Sequence, residues 1–470
     1  MRKSKEQQKN GPSQQLQLFT VQAGELQAVP IGGTDPGAPS RVELLSLLER
    51  QRTLTKHLLE RIVDYENLNR AYKQVASNDG SGGIDGMERE ELRQLLGTRL
   101  NTLQNSILTE QYEASALRKV EIPKPNGGTR ILGIPTVKDR LIQQAIHQEL
   151  NRYYEPTFSE NSYGFRPHRS AHQAITQASK YIQEGKEWVV DIDLEKFFDK
   201  INHDRLMQRL SRGIGDKRLL RLIKAYLTAG MMDEGLAEQR IAGTPQGGPL
   251  SPLLSNIVLD ELDKELEDRG HNFCRYADDC NIYVKSRKAG ERVMTSITNF
   301  IEKKLKLKVN HEKSGVRHCS DVKFLGYTIL SGGGIRVADK SIDRLKDKVR
   351  EITRRNRGVN FEKVIRELNV VLIGWTKYFR LADSWLHNFR DLDGWIRRKL
   401  RCYRLKQCGR RFTIFKFLRS FNIPENTSWN VVMYSQGWWQ MSKKIAVSHA
   451  MNPKWFALQG LHSLYLRMKV

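Results

Sequence analysis

Pairs of aspartates at the ends of apolar runs are the first residues in this sequence whose types and spacing could do chemistry. In the run WVVDID, Asp191 and Asp193 alternate, so in a strand both side chains lie on one face. Asp278 and Asp279 lie between the segments CRYA and CNIYV, where a tight turn presents carboxylates at a strand tip. Burying such a carboxylate without a partner is costly, and a divalent cation is the natural partner.

Carboxylates that converge from different strands predict a site for two Mg²⁺ ions. Two such ions, held roughly 3.5–4 Å apart, activate an attacking 3′-hydroxyl and stabilise a leaving pyrophosphate. An Asp-Asp pair alone is weak evidence, because most such pairs are solvated turns. The hydrophobic segments on both sides of this pair favour the metal interpretation.

Two further segments could bind a nucleotide. KPNGGTR, residues 124–130, places Lys124 and Arg130 on the arms of a predicted hairpin, where a point charge and a bidentate fork could close over a triphosphate. A basic hairpin alone is more often a solvated surface feature. GTPQGGPLSP, residues 243–252, fixes an unusual backbone and could present Gln246 under a base pair; a purely structural loop is the alternative.

The charge of the chain predicts a polyanionic partner. Its 470 residues include 78 Lys and Arg against 53 Asp and Glu, a net charge of +25. From Arg336 to Val470 there are 29 basic and 10 acidic residues, so +19 lies in that segment. Neutralised phosphates release condensed counterions, which makes this imbalance typical of nucleic-acid binding; solvated helix faces are the alternative.

Composition excludes several other classes of protein. Hydrophobic residues make up 39% and charged residues 28%, a globular profile that predicts two to four domains at this length. No apolar run approaches the roughly 18 residues of a bilayer span, and the basic N-terminus precedes no signal region, so we expect an intracellular protein without membrane association. The five cysteines form no C-x-x-C pair, so we expect reduced thiols.

Local patterns indicate the elements that must position these residues. Residues 1–45, rich in Gln, Gly, Pro and Ser, predict a flexible tail, and leucine periodicity after them predicts helices. The loop SNDGSGGIDG predicts a turn or a backbone that approaches a partner closely. Short strands are expected from Arg118 through the basic hairpin, in WVVDID, and on both sides of the acidic turn.

The pattern becomes helical again after Gly334. Within residues 341–355 one predicted helix face is apolar and belongs in a core. Arg344, Lys348 and Arg355 lie on another face, as candidate contacts to nucleic acid.

Several motifs resemble those of one known family. YADD, residues 276–279, resembles the catalytic turn of reverse transcriptases, and DLEKFFDKINHD, residues 193–204, is similar to their partner palm motif. The chain is most similar to bacterial group II intron reverse transcriptase/maturases, especially the compact class C form. The motifs that carry this likeness, in order, are RKVEIPKPNGGTRILGIPTVKDRLIQQAI, SYGFRPHRSAHQAI, GTPQGGPLSPLLSNIVLDELDKEL, FCRYADDCNIYVKS, KLKVNHEKSGV and KFLGYTI.

The resemblance distinguishes Asp193 from Asp191. The family carries a sugar-sensing aromatic residue five positions after its metal ligand, and Phe198 stands five positions after Asp193. Asp191 is then a structural neighbour. The implied catalytic ligands of two Mg²⁺ ions, which Mn²⁺ could replace, are Asp193, Asp278, Asp279 and the carbonyl of Leu194.

A nucleotide pocket is implied as well. Lys124 and Arg130 would hold the triphosphate, Gln246 would line the pocket, and Lys313 would stand near the departing pyrophosphate as a proton donor. Phe197 and Phe198 would adjoin the sugar, where the Phe198 ring would fill the space of a ribose 2′-hydroxyl and favour dNTPs. The implied primer grip is Phe324, Leu325 and Gly326.

The resemblance implies an α+β right-hand polymerase fold: fingers, a palm with an antiparallel sheet, and a helical thumb. The expected divisions are a flexible tail (1–45), a helical N-terminal extension (46–115), fingers and palm (116–335), a thumb called domain X in maturases (336–410), and a basic C-terminal region that could bind DNA (411–470). Many relatives end in an endonuclease with paired cysteines, which are not found here, so no second-strand cleavage is expected.

The function implied is RNA-directed DNA synthesis for a group II intron. The protein would copy intron RNA from a DNA primer at a target DNA, and would bind the intron RNA as a splicing maturase for retrohoming, in a ribonucleoprotein of the bacterial cytoplasm. Alternatives are a maturase that binds RNA without polymerising, a domesticated or defence-associated reverse transcriptase and, disfavoured by Phe198, an RNA-templated RNA polymerase.

Overall fold

The computed structural model describes residues 16–22, 25–31, 55–78, 80–123, 129–233, 236–238, 242–382 and 386–468. The chain divides into two compact units. Unit 1 comprises residues 1–174 and 188–317, and unit 2 comprises residues 175–187 and 318–470. Helices and antiparallel sheets occur together, which confirms the predicted α+β class. None of the described helices is long and apolar enough to cross a bilayer.

A β-hairpin lies in the segment for which composition predicts a flexible tail. Strands β1 (Leu16–Gln22) and β2 (Glu25–Ile31) pair antiparallel across a two-residue gap. The β-favouring Phe, Thr and Val of LQLFTVQ, followed by Ala-Gly, were the overlooked signal. The other residues of 1–45 lie outside the described part of the chain.

Helices follow the hairpin, as the leucine periodicity predicts. The Asp64 side chain accepts a hydrogen bond from Glu66 N at 2.9 Å and caps the second helix. The buried Asn67 amide donates to Ile62 O at 2.8 Å and to Ala145 O at 3.1 Å, which joins this extension to the following domain. The helices are α1 (Leu58–Val63), α2 (Tyr65–Ser77), α3 (Arg89–Thr98) and α4 (Leu100–Leu108).

The basic hairpin belongs to a four-stranded sheet. Strands β3 (Leu117–Pro123) and β4 (Thr129–Ile134) pair antiparallel, and β3 also pairs in parallel with β6 (Met231–Asp233), whose other neighbour is β7 (Leu236–Glu238). The hairpin arms confirm the predicted strands, whereas the turn and Lys124 lie outside the described residues.

A second four-stranded sheet, of order β10-β5-β9-β8, carries the aspartates. Its strands are β5 (Trp188–Ile192), β8 (Asn272–Tyr276), β9 (Asp279–Val284) and β10 (Gly315–His318). β5 and β8 both pair antiparallel with β9, so the aspartates that end β5 and begin β9 meet at one edge. Helices α5 (Val137–Tyr154) and α10 (Ser251–Asp268) bury residues on nearly all sides and form the core of this unit.

Three further helices of unit 1 are amphipathic and cover its core: α8 (His203–Gly213), α9 (Lys217–Thr228) and α11 (Arg287–Phe300). The same unit contains the short helix α7 (Phe197–Lys200), a 3-10 turn at Glu155–Thr157 and a π turn at Ile301–Leu305. Helix α6 (Ala171–Gln183) has most of its residues in unit 2.

Unit 2 is a helical domain that follows a small antiparallel pair, β11 (Tyr327–Ile329) and β12 (Ile335–Val337), flanked by 3-10 turns at Cys319–Asp321 and Ser331–Gly333. The first helix buries its predicted apolar face, whereas Arg344, Lys348 and Arg355 are exposed. The helices are α12 (Asp339–Ile352), α13 (Phe361–Tyr378), α14 (Leu386–Cys408), α15 (Arg411–Arg419), α16 (Glu425–Met433), α17 (Gly437–Met441), α18 (Ile445–Ala450), α19 (Pro453–Leu458) and α20 (Leu464–Met468).

Candidate active site

The end of β5 is fixed by the loop that follows the π turn. Asp193 N donates to Ser314 Oγ at 2.9 Å, and Asn310 N donates to Asp193 O at 2.8 Å. Leu194 forms an antiparallel bridge with Val309. These contacts fix the backbone at Asp193, whose Oδ2 lies 3.6 Å from Lys313 Nζ. The structure therefore brings two predicted site residues together across more than a hundred positions of sequence.

The turn between β8 and β9 is fixed from beneath by one buried arginine. Arg275 is 0% exposed, and two of its nitrogens donate to the Asp263 carboxylate at 2.6 Å each. Its Nη1 also donates to Ala277 O at 2.9 Å and to Asn256 Oδ1 at 3.0 Å. The turn that presents Asp278 is therefore bonded directly to the core helix α10.

Gly164 packs against the same turn. A Cβ added at Gly164 would lie 2.3 Å from Ala277 N, closer than any side chain can approach. Ala277 itself has φ 58°, the left-handed conformation that a tight turn imposes. The motifs SYGF and FCR, noted only as resemblances, thus contain residues that shape the turn, and sequence reasoning gave Gly164 and Arg275 no role.

Asp191 forms an ion pair with an arginine of strand β10. Its Oδ2 lies 2.9 Å from Arg317 Nη1. Burial raises the pKa of Asp191, Arg317 lowers it, and the neighbouring Asp193 charge raises it again. This pairing agrees with the interpretation of Asp191 as a structural residue.

Asp278 has the electrostatics of a group that needs a cation. Burial raises its pKa, and the nearby Asp193 charge raises it further, while Arg130 and Arg275 lower it. Two carboxylates that disfavour each other's ionised form are stabilised by a shared divalent ion. Oxygen donors of this kind fit Mg²⁺ or Mn²⁺.

The predicted three-aspartate metal centre is not preformed. Within the described part of the chain, no group of three His, Cys, Asp or Glu side chains has the spacing to hold a metal ion. Asp279 is exposed at the first position of β9, whereas Asp193 and Asp278 are half-buried. Asp278 lies in the turn and Asp279 begins strand β9, so the two adjacent carboxylates differ in exposure in this conformation.

A cavity of about 570 Å³ opens beside Asp278. Arg130, Phe198, Gln246 and Asp278, from four distant segments, all line it, as their predicted roles require. Arg130 Nε donates to Gln246 Oε1 at 2.6 Å. Gly133 N donates to Gln246 O at 3.0 Å, so the glycine-rich loop is joined to strand β4.

The adjacent phenylalanines have different environments. Phe198 lines the cavity, and its carbonyl accepts a hydrogen bond from Thr244 N at 2.7 Å. Phe197 is 2% exposed and packs in the core, with its ring centroid 5.3 Å from that of Phe198. Phe197, predicted to adjoin the nucleotide, thus belongs to the core and does not line the cavity: its side chain points inward because successive residues of the short helix α7 occupy different faces.

Comparisons with known proteins agree with this geometry. Residues 122–329 match the family model described as reverse transcriptase (RNA-dependent DNA polymerase), and residues 342–417 match that of the group II intron maturase-specific domain. Protein YkfC of Escherichia coli (strain K12) is 34% identical over 316 residues, which cover 58% of this chain and 83% of YkfC. The chain belongs to the group II intron reverse transcriptase family.

Two other relatives are longer than the matched region. The group II intron-encoded protein LtrA of Lactococcus lactis subsp. cremoris is 30% identical over 332 residues, 55% of this chain and 54% of LtrA. The putative COX1/OXI3 intron 2 protein of Saccharomyces cerevisiae is 30% identical over 350 residues, 61% of this chain and 41% of that protein. The chain thus spans about half of these two relatives.

Other residues of the reverse transcriptase cavity were not predicted. Phe165 lines it with a left-handed backbone (φ 60°), and Arg140 lines it from helix α5. The glycine-dense loop SNDGSGGIDG, expected to approach a partner, approaches its own domain: a Cβ at Gly83 would lie 2.5 Å from Thr136 Cα. Arg140 Nη2 donates to Ser81 O at 2.6 Å within that loop.

The predicted primer grip of the reverse transcriptase lies in unit 2. Leu325 and Gly326 have φ of 49° and 85°, and Tyr378 Oη donates to Leu325 O at 2.8 Å. Phe324 is buried and pairs with Tyr327 through two backbone hydrogen bonds. These contacts form a fixed turn against α13.

Proposed function

We propose that this chain is the RNA-directed DNA polymerase of a group II intron and that it also binds the intron RNA as a maturase. The observation that carries the polymerase proposal is the convergence of Arg130, Phe198, Gln246 and Asp278 on one cavity. A scaffold that only binds RNA has no need of a half-buried carboxylate beside a pocket of nucleotide size.

The chemistry proposed is addition of a dNTP to a primer 3′-hydroxyl. Asp193, Asp278 and Asp279, with the Leu194 carbonyl, would hold two Mg²⁺ ions, which supply activation of the hydroxyl and charge neutralisation at the leaving pyrophosphate. Because Asp279 is exposed in the present conformation, its side chain would have to turn inward when the ions bind.

The protein groups around the cavity would bind and orient the nucleotide. Arg130, with Lys124 beyond the described residues, would hold the triphosphate, and Gln246, already bonded to Arg130, would position it. Phe198 would exclude a ribose 2′-hydroxyl. Lys313, next to Asp193, would give a proton to the leaving pyrophosphate.

The maturase proposal rests on the C-terminal charge. The match of residues 342–417 to the maturase-specific domain coincides with the segment that holds most of the +25. Exposed Arg344, Lys348 and Arg355 would contact phosphates of the intron RNA or of template and primer. Target DNA is a further proposed partner, in a ribonucleoprotein of the bacterial cytoplasm.

Primer extension tests the polymerase proposal. An RNA template annealed to a DNA primer, with dNTPs and Mg²⁺, should be extended by the wild type and by Asp268→Asn, an exposed control on α10. Asp278→Asn/Asp279→Asn should give no extension. If neither wild type nor variant extends while salt-sensitive RNA binding persists, the maturase that only binds RNA is the correct reading.

A further inference from the structure

A second cavity, of about 500 Å³, lies within unit 2. The turn after α12 contributes Arg354 and Arg355, helix α14 contributes Lys399 and Lys406, and helix α17 contributes Trp438. The site therefore combines residues of the maturase-specific domain with one from the last 60 residues, for which sequence reasoning offered only a possible DNA-binding role.

The cavity concentrates positive charge. Of the residues that line it in the described part of the chain, none carries a carboxylate. Arg350, also in the lining, pairs with Asp347 at 2.5 Å, but that aspartate is not part of the wall. Burial lowers the pKa of Lys399, and the neighbouring Arg350, Arg355 and Arg398 lower it further. Cations that disfavour one another in this way are stabilised by a bound anion.

Aromatic rings are interleaved with these cations. Lys406 Nζ lies 5.9 Å from the centroid of the Trp438 ring, and Lys399 Nζ lies 5.1 Å from that of Trp439. Arg398 stacks over Trp439 at 3.6 Å, so that ring is already occupied. Trp438 is half-buried and borders the cavity, and its indole is the aromatic surface that a ligand in the cavity could contact.

A recess with cations and one indole fits a nucleotide better than a duplex. Phosphate oxygens pair with Arg and Lys, while an unstacked base lies against an aromatic ring, and each such stack contributes to binding. In a duplex the base faces are covered by their neighbours and cannot reach an indole. Unpaired bases of folded RNA are the usual ligands of aromatic side chains in RNA-binding proteins.

We propose that this cavity binds one unpaired nucleotide of an RNA strand, with its phosphate on Arg355, Lys399 and Lys406 and its base against Trp438. The inference rests on the proposed function in one respect, that unit 2 binds RNA. It assigns the final segment of the chain a part in that binding: Trp438 completes a site whose cations come from the thumb.

Fluorescence anisotropy with a short, labelled, unstructured RNA tests the site in the full-length protein. Trp438→Leu should weaken binding roughly tenfold, within the range of a lost base stack, and Trp438→Phe should retain most of the affinity. The salt dependence of RNA binding should distinguish the contribution of the charged side chains from that of base stacking. Lys399→Gln/Lys406→Gln should reduce the slope of log K against log salt by up to about 0.7, the value for one phosphate contact on a single strand, whereas Trp438→Leu should leave it unchanged.

The matched control is Lys443→Gln/Lys454→Gln, which removes the same charge from unit 2 outside the cavity. It should cost clearly less affinity than the cavity pair. Equal losses, or wild-type binding by Trp438→Leu, would overturn the site. If Trp438→Leu lowers the melting temperature of the protein, its loss of affinity could come from unfolding. The comparison of RNA affinity between the two lysine pairs then decides whether the cavity is the binding site.

A comparison ligand tests the assignment to an unpaired nucleotide, and the design of the assay distinguishes this inference from the polymerase proposal. An RNA duplex of the same sequence, which has no unpaired bases, should bind more weakly and should not respond to Trp438→Leu; an equal response by the duplex would overturn the assignment to an unpaired nucleotide. The binding assay contains no dNTPs. Absence of primer extension by the wild type would therefore refute the polymerase alone, and unaltered RNA binding by the variants would refute the cavity alone.

Discussion

At the scale of single residues, the catalytic turn depends on a buried ion pair. Arg275 and Asp263 are both 0% exposed and doubly hydrogen-bonded, and Arg275 extends to the turn through Ala277 O. A buried pair of this kind adds little net stability, but removing one partner leaves an uncompensated charge. Its contribution is therefore geometric: it fixes where Asp278 lies.

Arg275→Met should lower the free energy of unfolding by about 3–5 kcal/mol, because it leaves the Asp263 carboxylate buried in the core without a partner of opposite charge. Urea denaturation measures the change. Arg269→Met, which breaks a partly exposed pair with Glu265 on the same helix, should cost less than about 1 kcal/mol. If both substitutions lowered the free energy of unfolding equally, the Asp263 carboxylate would not be an uncompensated buried charge in Arg275→Met.

The two phenylalanines of α7 allow a matched test of the sugar gate. Phe198→Ala should raise ribonucleotide incorporation relative to dNTP incorporation by roughly 10–200-fold, the range for a changed steric fit in a pocket. Phe197→Leu should leave sugar selectivity unchanged and cost less than about 1.5 kcal/mol of stability. Competition between dNTP and NTP in primer extension reports both. Unchanged sugar selectivity in Phe198→Ala would contradict the proposed role of Phe198 in excluding ribonucleotides.

At the scale of elements, the site depends on loops that approach strands without an intervening side chain. The segment that carries Gly164 lies against the β8–β9 turn, and Gly243 (φ 87°) lies against the carbonyl of Phe198, where an added Cβ would be 2.7 Å away. In each case the neighbour is backbone, which cannot move aside cheaply. The loops and the strands are therefore positioned together.

Gly164→Ala should displace the catalytic turn and reduce the rate of dNTP incorporation about 100-fold, the effect of a misplacement of roughly 1 Å. The control is Gly97→Ala in helix α3, where an added Cβ meets nothing within 4 Å and alanine favours the helix. Single-nucleotide incorporation by both variants tests this. A Gly164→Ala protein as active as Gly97→Ala would mean that the turn tolerates movement.

Sequence patterns predicted the elements better than the contacts between them. The strands expected on both sides of the acidic turn, and the helical spacing within residues 341–355, gave elements that the structure confirms. The roles of Arg275 and Gly164 depend on segments that meet only in the folded chain, so no local pattern could give them. The glycine-dense loop was ambiguous for the same reason, because close approach to a ligand and close approach to Thr136 require the same residues.

At the scale of the whole molecule, charge and chemistry are placed in different parts of the chain. The cavity beside Asp278 belongs to unit 1, whereas the last 135 residues carry +19 of the net +25. Charge composition predicted a nucleic-acid partner correctly for a family that binds intron RNA. It could not show that part of this charge lines a recess that Trp438 borders, because that arrangement depends on how three helices pack.

Binding of RNA by the full chain should depend steeply on salt. If 6–10 phosphates are contacted, affinity should fall roughly 10³–10⁵-fold between about 50 and 200 mM salt. Arg344→Gln/Lys348→Gln should reduce the slope of log K against log salt by roughly 0.7–0.9 per charge. Filter binding over a salt series measures this, and a slope near zero would contradict the proposed role of the thumb cations.

The proposal that the dNTP binds in the cavity of Arg130, Phe198, Gln246 and Asp278 makes a kinetic prediction. Its most direct test is the rate of single-nucleotide incorporation as a function of dNTP concentration for Arg130→Gln, with exposed Arg292→Gln on α11 as the charge-matched control. Loss of a charge-assisted hydrogen bond to the triphosphate should raise the KM for dNTP about tenfold or more in Arg130→Gln and leave it unchanged in Arg292→Gln. An Arg130→Gln protein with the KM of the wild type would contradict the account.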